Sequence, residues 1–504
     1  MKILSPSQIK EADLFTIKNE PIPSIELMER AAMQCYNWVV KNLYKDKPID
    51  IFCGVGNNGG DGLVISRLLI NAGWNIRTYI VEFSGNFSDD FKINYERLKG
   101  LTDIIHIKDF NTIPVIDGGY IIDAIFGVGL SKAPVGFTKS LIEKINKSNA
   151  RVIAIDMPSG LYAQQKTDDT NSIIKADYTL TFQSVKLSLL LPEYAEFSGS
   201  FEVLDIGLLK EYIDSTESYY HLLDKSFVSG LWKKRKKFSH KGSYGHSLIV
   251  GGSTGKIGAI LLTTKAAVKS GSGLVTSLIP KCGYQVLQTA VPEAMVLMEG
   301  ENHLDSLYYS IKPTAIGIGP GLGTVVGTHE LLKSFLEDNR TPMVLDADAL
   351  NHLSQHREMM DMLPEGAVLT PHPKEFERLV GTWNDDYEKM KLASEFSMNY
   401  QVILVLKEAH TSIFMPDGNI YFNSTGNPGL ASGGSGDVLT GIITSLIAQG
   451  YSNFEACALG VYIHGRTADI SLELGEESVE SFSAGDIIKN IGKAFIELKN
   501  DQTN

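Results

Sequence analysis

Between Pro48 and Gly207 short apolar, β-branched runs alternate with stretches of helical period. The runs are IDIFCGV, NIRTYIVEF, YIIDAIFGV, RVIAIDMP, YTLTF and SFEVLDIG, repeatedly followed by Gly or Pro. Runs that are apolar on both faces and this short predict buried parallel strands joined by helices, hence an α/β layered domain. Ahead of them residues 7–42 carry a helical pattern, SQIKEADLF and then SIELMERAAMQCYNWVVKNL, expected to pack on the sheet. Around residues 210–240 the pattern breaks into EYIDSTES and KKRKKFSHKG, which places a domain boundary near 215–225. A second α/β series follows, HSLIVGG, LVTSLIP, AIGIGPG, MVLDAD, AVLTP and VILVLK, and ends in helices from Asp437 onward. No repeat of short period appears, which sets solenoids and propellers aside.

Length agrees with two domains, because 504 residues exceed the roughly 250–300 at which single cores stop growing. The content is that of a globular protein, 43% hydrophobic and 21% charged. A net charge of -13 argues against a general nucleic-acid binder. The basic run Lys233-Lys234-Arg235-Lys236-Lys237 reads either as a solvated face or as an electrostatic aid for an anionic nucleotide. Cys35, Cys53, Cys282 and Cys457 form no CxxC pair, so a zinc knuckle or disulfide framework is not expected and a reducing cytosol fits. No stretch approaches the ~18 apolar residues of a membrane span, and MKILSPSQIKEADLF lacks a secretory apolar region.

The loop CGVGNNGGDG, residues 53–62, follows a strand and opens a helix, and Gly54, Gly56 and Gly59 satisfy the dinucleotide spacing, with Glu82 near the distance expected of a ribose-binding acid. Asp61, placed by the pattern in the first helical turn, would repel a pyrophosphate there. Asn57, Asn58 and Asp61 instead suit a polar substrate or a monovalent cation, the other reading being a tight turn with Asp61 as a helix cap. Two further strand ends favour a site: Asp123 before the flexible loop Gly127 to Ala133, and Asp156 with Ser159 in DMPSG. In open parallel sheets such carboxyl ends converge on one crevice.

NPGLASGGSGDVLTGII, residues 427–443, is the strongest motif. Gly433, Gly434 and Gly436 can turn backbone N–H groups toward one phosphate, and the following helix adds partial positive charge. Asp437 at that end is expected to stay ionised and to accept a hydroxyl proton while the glycines hold the incoming phosphoryl group. The alternative is a plain capping aspartate. GGSTGKIG, residues 251–258, is not a Walker A loop, since Ile257 stands where Ser or Thr must ligate magnesium; a turn against the substrate is expected. His352 and His356 lack the glutamate of a zinc-protease helix and read as exposed helix polarity. Gly321, Asp346 with Asp348, His372, and Lys407 with Thr411 occupy further strand ends.

GNNGGDG, DAIFGVG and DMPSG together resemble the N-terminal domain of the NAD(P)H-hydrate epimerases, over residues 1–215. The resemblance implies potassium held by Asn58, Asp123 and Ser159. It also implies a hydrated-nicotinamide site lined by Asn57, Asn58, Gly59, Gly60 and Asp61, by the loop Gly127, Val128, Gly129, Leu130, Ser131, Lys132 and Ala133, and by Asp156. Asp156 is the candidate acid–base group. Lys132 is a second candidate that reads equally as an exposed loop lysine.

KGSYGHSLIVGGS, GPGLG, LDADAL, TPHPKEF, LKEAHT and NPGLASGGSGDVLTG resemble the ADP-dependent NAD(P)H-hydrate dehydratases, over residues 225–498, with 216–224 as linker and 225–504 as domain. That resemblance implies hydrate contacts from Ala259, Gly321, His372 and Asp437, and nucleotide contacts from Lys407, Glu408, Ala409, His410, Thr411 and Gly436. Glu408 departs from the family's usual glycine, and a carboxylate there would crowd or repel phosphates.

The expected fold is α/β throughout, a Rossmann-like three-layer domain followed by a ribokinase-like α/β domain. The implied activity is nicotinamide nucleotide repair: epimerisation of the R and S hydrates of NADH and NADPH, then dehydration of the S form with ADP and magnesium to NAD(P)H, AMP and phosphate. The expected partners are small molecules only, NADHX, NADPHX and ADP, with no nucleic acid, no membrane, a homo-oligomeric assembly and a cytoplasmic location. The rivals are a ribokinase-like small-molecule kinase, which would release a stable phospho-product, and an N-terminal domain serving only as a ligand-binding module.

Overall fold

A computed structural model describes residues 1–501, so the last three residues of the expected 225–504 domain lie outside the described part. The chain divides into two compact units, Lys2–Tyr220 and, together with Met1, His221–Asn504.

In the first unit the strands are β1 (Ile49–Cys53), β2 (Ile76–Val81), β3 (Ile104–Ile107), β4 (Tyr120–Ala124), β5 (Arg151–Ile155), β6 (Tyr178–Phe182) and β7 (Ser200–Leu204). They form one parallel sheet in the order β3-β2-β1-β4-β5-β6-β7. β1 and β4 are buried along their whole length. Their side chains alternate between two cores: Ile49, Ile51 and Cys53 meet helices Ser24–Asn42 and Asn57–Asn71, while Phe52 and Ile121 meet Leu141, Ile142 and Ile145 of helix Gly136–Asn146. Helices therefore cover both faces, giving three layers. The strand order reverses between β1 and β4, the switch point at which ligands bind in open α/β sheets. The N-terminal helical pattern is two helices, Pro6–Asn19 and Ser24–Asn42, the first started by a Ser5–Gln8 capping box with Pro6 at its first position. β3 had no counterpart among the expected strands. It is a short edge strand with Ile105 exposed, so no continuous apolar run marks it.

The second unit holds β8 (Tyr220–Leu223), β9 (His246–Val250), β10 (Leu274–Ile279), β11 (Met295–Met298), β12 (Ala315–Ile318), β13 (Met343–Leu345), β14 (Val368–Leu369), β15 (Ile403–Leu406), β16 (Ser412–Phe414) and β17 (Ile420–Asn423). Their order is β11-β10-β9-β12-β13-β14-β15-β16-β17-β8. The run from β11 to β15 is parallel, and β15-β16-β17 are antiparallel. The stretch 216–224, read as linker, contains β8, an edge of this sheet. Helix Ser435–Ala448 is buried on nearly every side. Its Gly441 lies so close to helix Ile257–Lys269 that an added Cβ would sit 2.2 Å from the Thr263 carbonyl oxygen. No described helix is long and apolar enough to cross a membrane.

Candidate active sites

In the first unit the glycine loop after β1 is built for close approach. A Cβ on Gly54 would fall 2.0 Å from the Ile125 carbonyl oxygen, and one on Gly59 would fall 1.8 Å from the Gly54 carbonyl oxygen. Helix Asn57–Asn71 thereby starts hard against the tips of β1 and β4, with Gly56 as its cap. Asp61 is neither the cap nor in the first turn, as the sequence suggested. It is the fifth helical residue and is buried, and burial pushes its carboxyl well above the usual range, helped by Asp156, Asp13 and Asp90.

Asp123 at the tip of β4 accepts hydrogen bonds from the Ser159 N–H (2.8 Å), the Ser159 hydroxyl (2.6 Å) and the Ile125 N–H (3.2 Å). Burial nevertheless raises its carboxyl to about 6, those hydrogen bonds working the other way. Both side-chain atoms of Asn58 are buried without a partner. Asp156, just past β5, has a left-handed backbone at φ 66°, an expensive conformation for a residue with a side chain. A Cβ on Gly127 would lie 3.2 Å from Asp156 Oδ2 and 3.3 Å from Asn58 Cβ, so the three residues meet. Val128 N–H points at Asp156 Oδ2 (3.3 Å). Beyond them Gly129, Ser131 and Lys132 are exposed, with Leu130 and Ala133 half-buried.

Two groups escaped the sequence reading. Lys186 is fully buried and donates to Asp156 Oδ1 (2.7 Å), Thr181 Oγ1 (2.8 Å) and the Phe182 carbonyl (2.9 Å). Asp13, on helix Pro6–Asn19, is raised to about 7 by burial and by Asp156, against the opposing pull of Lys186. Glu82, read as a possible ribose-binding acid, is paired with His106 and Lys108.

In the second unit Lys407, just after β15, donates to Asp346 Oδ1 (2.8 Å), and Thr440 donates to Asp346 Oδ2 (2.7 Å). Of the three motif glycines only Gly434 is left-handed, at φ 88°, and it caps helix Ser435–Ala448. Gly436 lies close to Lys407: a Cβ there would stand 3.1 Å from its Nζ. The first turn of that helix leaves backbone N–H groups without intrahelical partners beside a lysine ammonium, a ready anion site.

Asp437, half-buried in this turn, differs from the sequence expectation of a dipole-stabilised carboxylate. Burial pushes it up to about 7, with Asp346, Asp348 and Glu375 adding to the rise and Lys407 opposing it. The helix terminus is outweighed by desolvation and three acids, and the result is a base poised near neutrality. His372 caps helix Pro373–Val380, its Nδ1 accepting from the N–H groups of Lys374 and Glu375 while its own N–H donates to Glu375. Burial and then Lys407 lower its pKa, and because Nδ1 accepts, the ring proton sits on Nε2, 3.5 Å from Glu375 Oε1. Gly321, at φ 62°, packs its Cα against the Lys256 carbonyl, and Asp348 ties Lys256 to the Gly323 N–H, which brings the Gly321 loop to the helix that carries Ala259.

Glu408 follows Lys407 just past β15. It is half-buried against Lys389, which also pairs with Asp386 (2.6 Å), and burial raises its carboxyl against the opposing pull of Lys389. Ala409 is exposed, His410 donates from Nδ1 to the Asn423 carbonyl (3.0 Å), and Thr411 donates to the Glu408 carbonyl (3.2 Å). His352 is corrected from exposed to buried, its Nε2 at the Gly323 carbonyl (3.0 Å); His356 stacks on His329. In the basic run Lys233 lies over the Tyr451 ring and pairs with Glu455, and Arg235 lies over the Tyr244 ring. These two clamp their own unit.

Two separate clusters of ionisable groups, one per unit, lie at the carboxyl ends of parallel strands in an α/β protein. Residues 24–188 match the model of the YjeF-related protein N-terminus, and residues 247–491 match that of NAD(P)H-hydrate dehydratase. The bifunctional NAD(P)H-hydrate repair enzyme Nnr of Moorella thermoacetica is 34% identical over 513 residues, covering 97% of this chain and 95% of its own. That of Escherichia coli is 34% identical over 449 residues, covering 88% and 85%. The solved ADP/ATP-dependent NAD(P)H-hydrate dehydratase from Bacillus subtilis, co-crystallized with ATP/Mg2+, shares 28% identity with a TM-score of 0.49, covering 55% of this chain and 98% of that one. The chain belongs to the family of bifunctional NAD(P)H-hydrate repair enzymes.

Proposed function

We propose that residues 1–215 interconvert the R and S hydrates of NADH and NADPH, and that residues 225–504 dehydrate the S form with ADP, the stretch 216–224 joining them. Family matches to both units, and relatives spanning nearly the whole chain, do not favour a small-molecule kinase with a binding module.

Inversion at C6 of the hydrated ring involves proton transfer but no net oxidation or reduction. The hydroxyl leaves as water while the ring nitrogen's lone pair forms an iminium, and water returns to the opposite face. Asp156 gives and takes the proton, and Lys186 fixes its orientation. Potassium suits the oxygens of Asn58, Asp123 and Ser159: Asn58 is an orphaned buried amide, Asp123 a buried carboxylate in need of compensation, and the set carries one formal charge. Bound there, it would supply fixed positive charge to the site. Asn57 to Asp61 and Gly127 to Ala133 enclose the hydrate.

In the second unit Asp437 takes the C6 hydroxyl proton, and the oxygen attacks the terminal phosphorus of ADP as its bond to the bridging oxygen breaks, releasing AMP. The nitrogen lone pair then expels phosphate, and loss of a C5 proton restores NAD(P)H. Lys407 and the N–H groups at Gly436 hold the phosphates, with Glu408, Ala409, His410 and Thr411 forming the rest of the nucleotide strand end. Ala259, Gly321 and His372 position the hydrate, and His372 offers its Nε2 proton. Magnesium arriving with the nucleotide would neutralise phosphate charge, and Glu375, a buried carboxylate that also caps its helix through the His372 N–H, is the nearby acid that could face it.

The observation that carries the reading is Asp437, poised near pH 7 at the mouth of a lysine-backed helix start. Product analysis tests it. Hydrated NADH with ADP and magnesium should yield NADH and AMP in equal amounts, and a stable phospho-compound would instead make the enzyme a kinase.

A further inference from the structure

The first unit holds a cavity of about 460 Å³, walled by Ile80, Phe87, Phe91 and Tyr95 and rimmed by Lys92, Glu96 and His106. Its walls are a succession of rings: Phe87 and Phe91 have centroids 5.4 Å apart, Phe91 and Tyr95 6.3 Å, and Tyr95 and His106 6.0 Å. Its polar end is fixed, because Glu82 takes one ring nitrogen of His106 and is itself paired with Lys108, while the Tyr95 hydroxyl meets His106 Nε2 at 3.3 Å. The segment that walls the cavity packs directly on the glycine loop of the catalytic crevice. Ser88 N–H donates to the Val55 carbonyl (3.0 Å), and the Phe91 Cα lies 3.6 Å from where a Gly60 Cβ would be.

We propose that this cavity binds the adenine nucleoside half of the hydrated dinucleotide while the hydrated ring sits at Asp156; the inference rests on the epimerase reading above. Three relations on the fold support it. A dinucleotide lies across the switch point, its two halves on opposite sides of the place where strand order reverses. Asp156 follows β5 on one side of that point, and Ile80 and His106 lie near the ends of β2 and β3 on the other. From β2 to β5 is three strand spacings, about 14 Å, a span that needs both halves of an extended dinucleotide. Finally, an aromatic slot with one polar end suits a flat heterocycle, which stacks on its rings and hydrogen-bonds at its edge. The Tyr95 hydroxyl supplies the edge contact, and Lys92, which also pairs with Asp89 (2.9 Å), stands at the exposed rim on the sugar–phosphate side.

The test uses the full-length chain with ADP omitted, so that only R-to-S conversion is read. The substrates are the R hydrates of NADH and of reduced nicotinamide mononucleotide, which lacks the adenosine half. The wild-type KM for the mononucleotide hydrate is expected to exceed that for the dinucleotide hydrate by about tenfold, the worth of one stacked base. Phe87→Ala and Tyr95→Ala should bring that ratio toward one. Equal KM values in the wild type would overturn the inference, as would an undiminished ratio in both variants. Should a variant fail to fold, the wild type decides by itself: AMP must inhibit conversion competitively against the dinucleotide hydrate, and absence of inhibition at millimolar AMP overturns the inference. Failure to epimerise either hydrate would overturn the epimerase reading as well, whereas turnover of both at equal KM removes this inference alone.

Discussion

Lys186 Nζ stands 2.7 Å from Asp156 Oδ1 in a pocket closed to solvent, and its other two N–H bonds go to Thr181 and Phe182. With every proton engaged, Lys186 holds Asp156 and does not itself shuttle a proton. Replacing it with Met strands a buried carboxylate, so stability should fall by about 3–5 kcal/mol and epimerisation by at least about a hundredfold. Asp156→Asn should abolish epimerisation while the denaturant midpoint changes far less. Equal losses of stability in the two variants would sink the division of labour between them.

The dehydratase should lose activity on the acid side of neutrality. The Asp437 carboxyl is raised to about 7, so below that pH it holds its proton and cannot serve as a base. The sign follows from the direction of the shift: an acid raised from its usual range is protonated over more of the pH scale. Dehydratase kcat/KM should drop about tenfold per pH unit below 7. A flat profile between pH 5 and 8 would be incompatible with that role.

Lys407 connects the nucleotide to the protein through Asp346. Lys407→Met removes the ammonium beside Gly436 and leaves Asp346 with Thr440 as its remaining side-chain donor. The KM for ADP should rise at least about tenfold, while R-to-S conversion, carried by the other unit, stays within about twofold.

Exchange of potassium for a bulky organic cation should slow epimerisation and spare dehydration of purified S hydrate. Ser159→Ala should weaken the response to potassium, read as the half-saturating concentration of the ion. An epimerase indifferent to the cation would remove it from the site.

A methyl group at Gly441 would meet the Thr263 carbonyl at 2.2 Å, between two helices that cannot part without disturbing the sheet beneath. Gly441→Ala should lower stability by about 1–3 kcal/mol, measured by denaturant unfolding.

The central strands were legible in the sequence because they are buried on both faces and spell continuous apolar runs. β11 and the hairpin β16–β17 were not, since edge position and antiparallel pairing leave them short or partly exposed. The strand-end loops of both candidate sites could be read because glycine, aspartate and asparagine collect there. Lys186 could not, although a single lysine inside SVKLSLLL was a usable signal: a charge in so apolar a run needs a buried partner. For Asp437 the local helix start was visible, but the acids that reverse its expected shift come from other strand ends and helices, Asp346, Asp348 and Glu375, and only folding assembles them. His352 misled for the same reason, its burial being set by the Gly323 loop.

The most direct measurement follows the reduced-nicotinamide absorbance of purified S hydrate with ADP and magnesium, wild type against Asp437→Asn, with AMP quantified alongside. The account predicts full return of absorbance with one AMP per NADH in the wild type, and a rate at least about a thousandfold lower in the variant although R-to-S conversion persists. Recovery by the variant at the wild-type rate would contradict it.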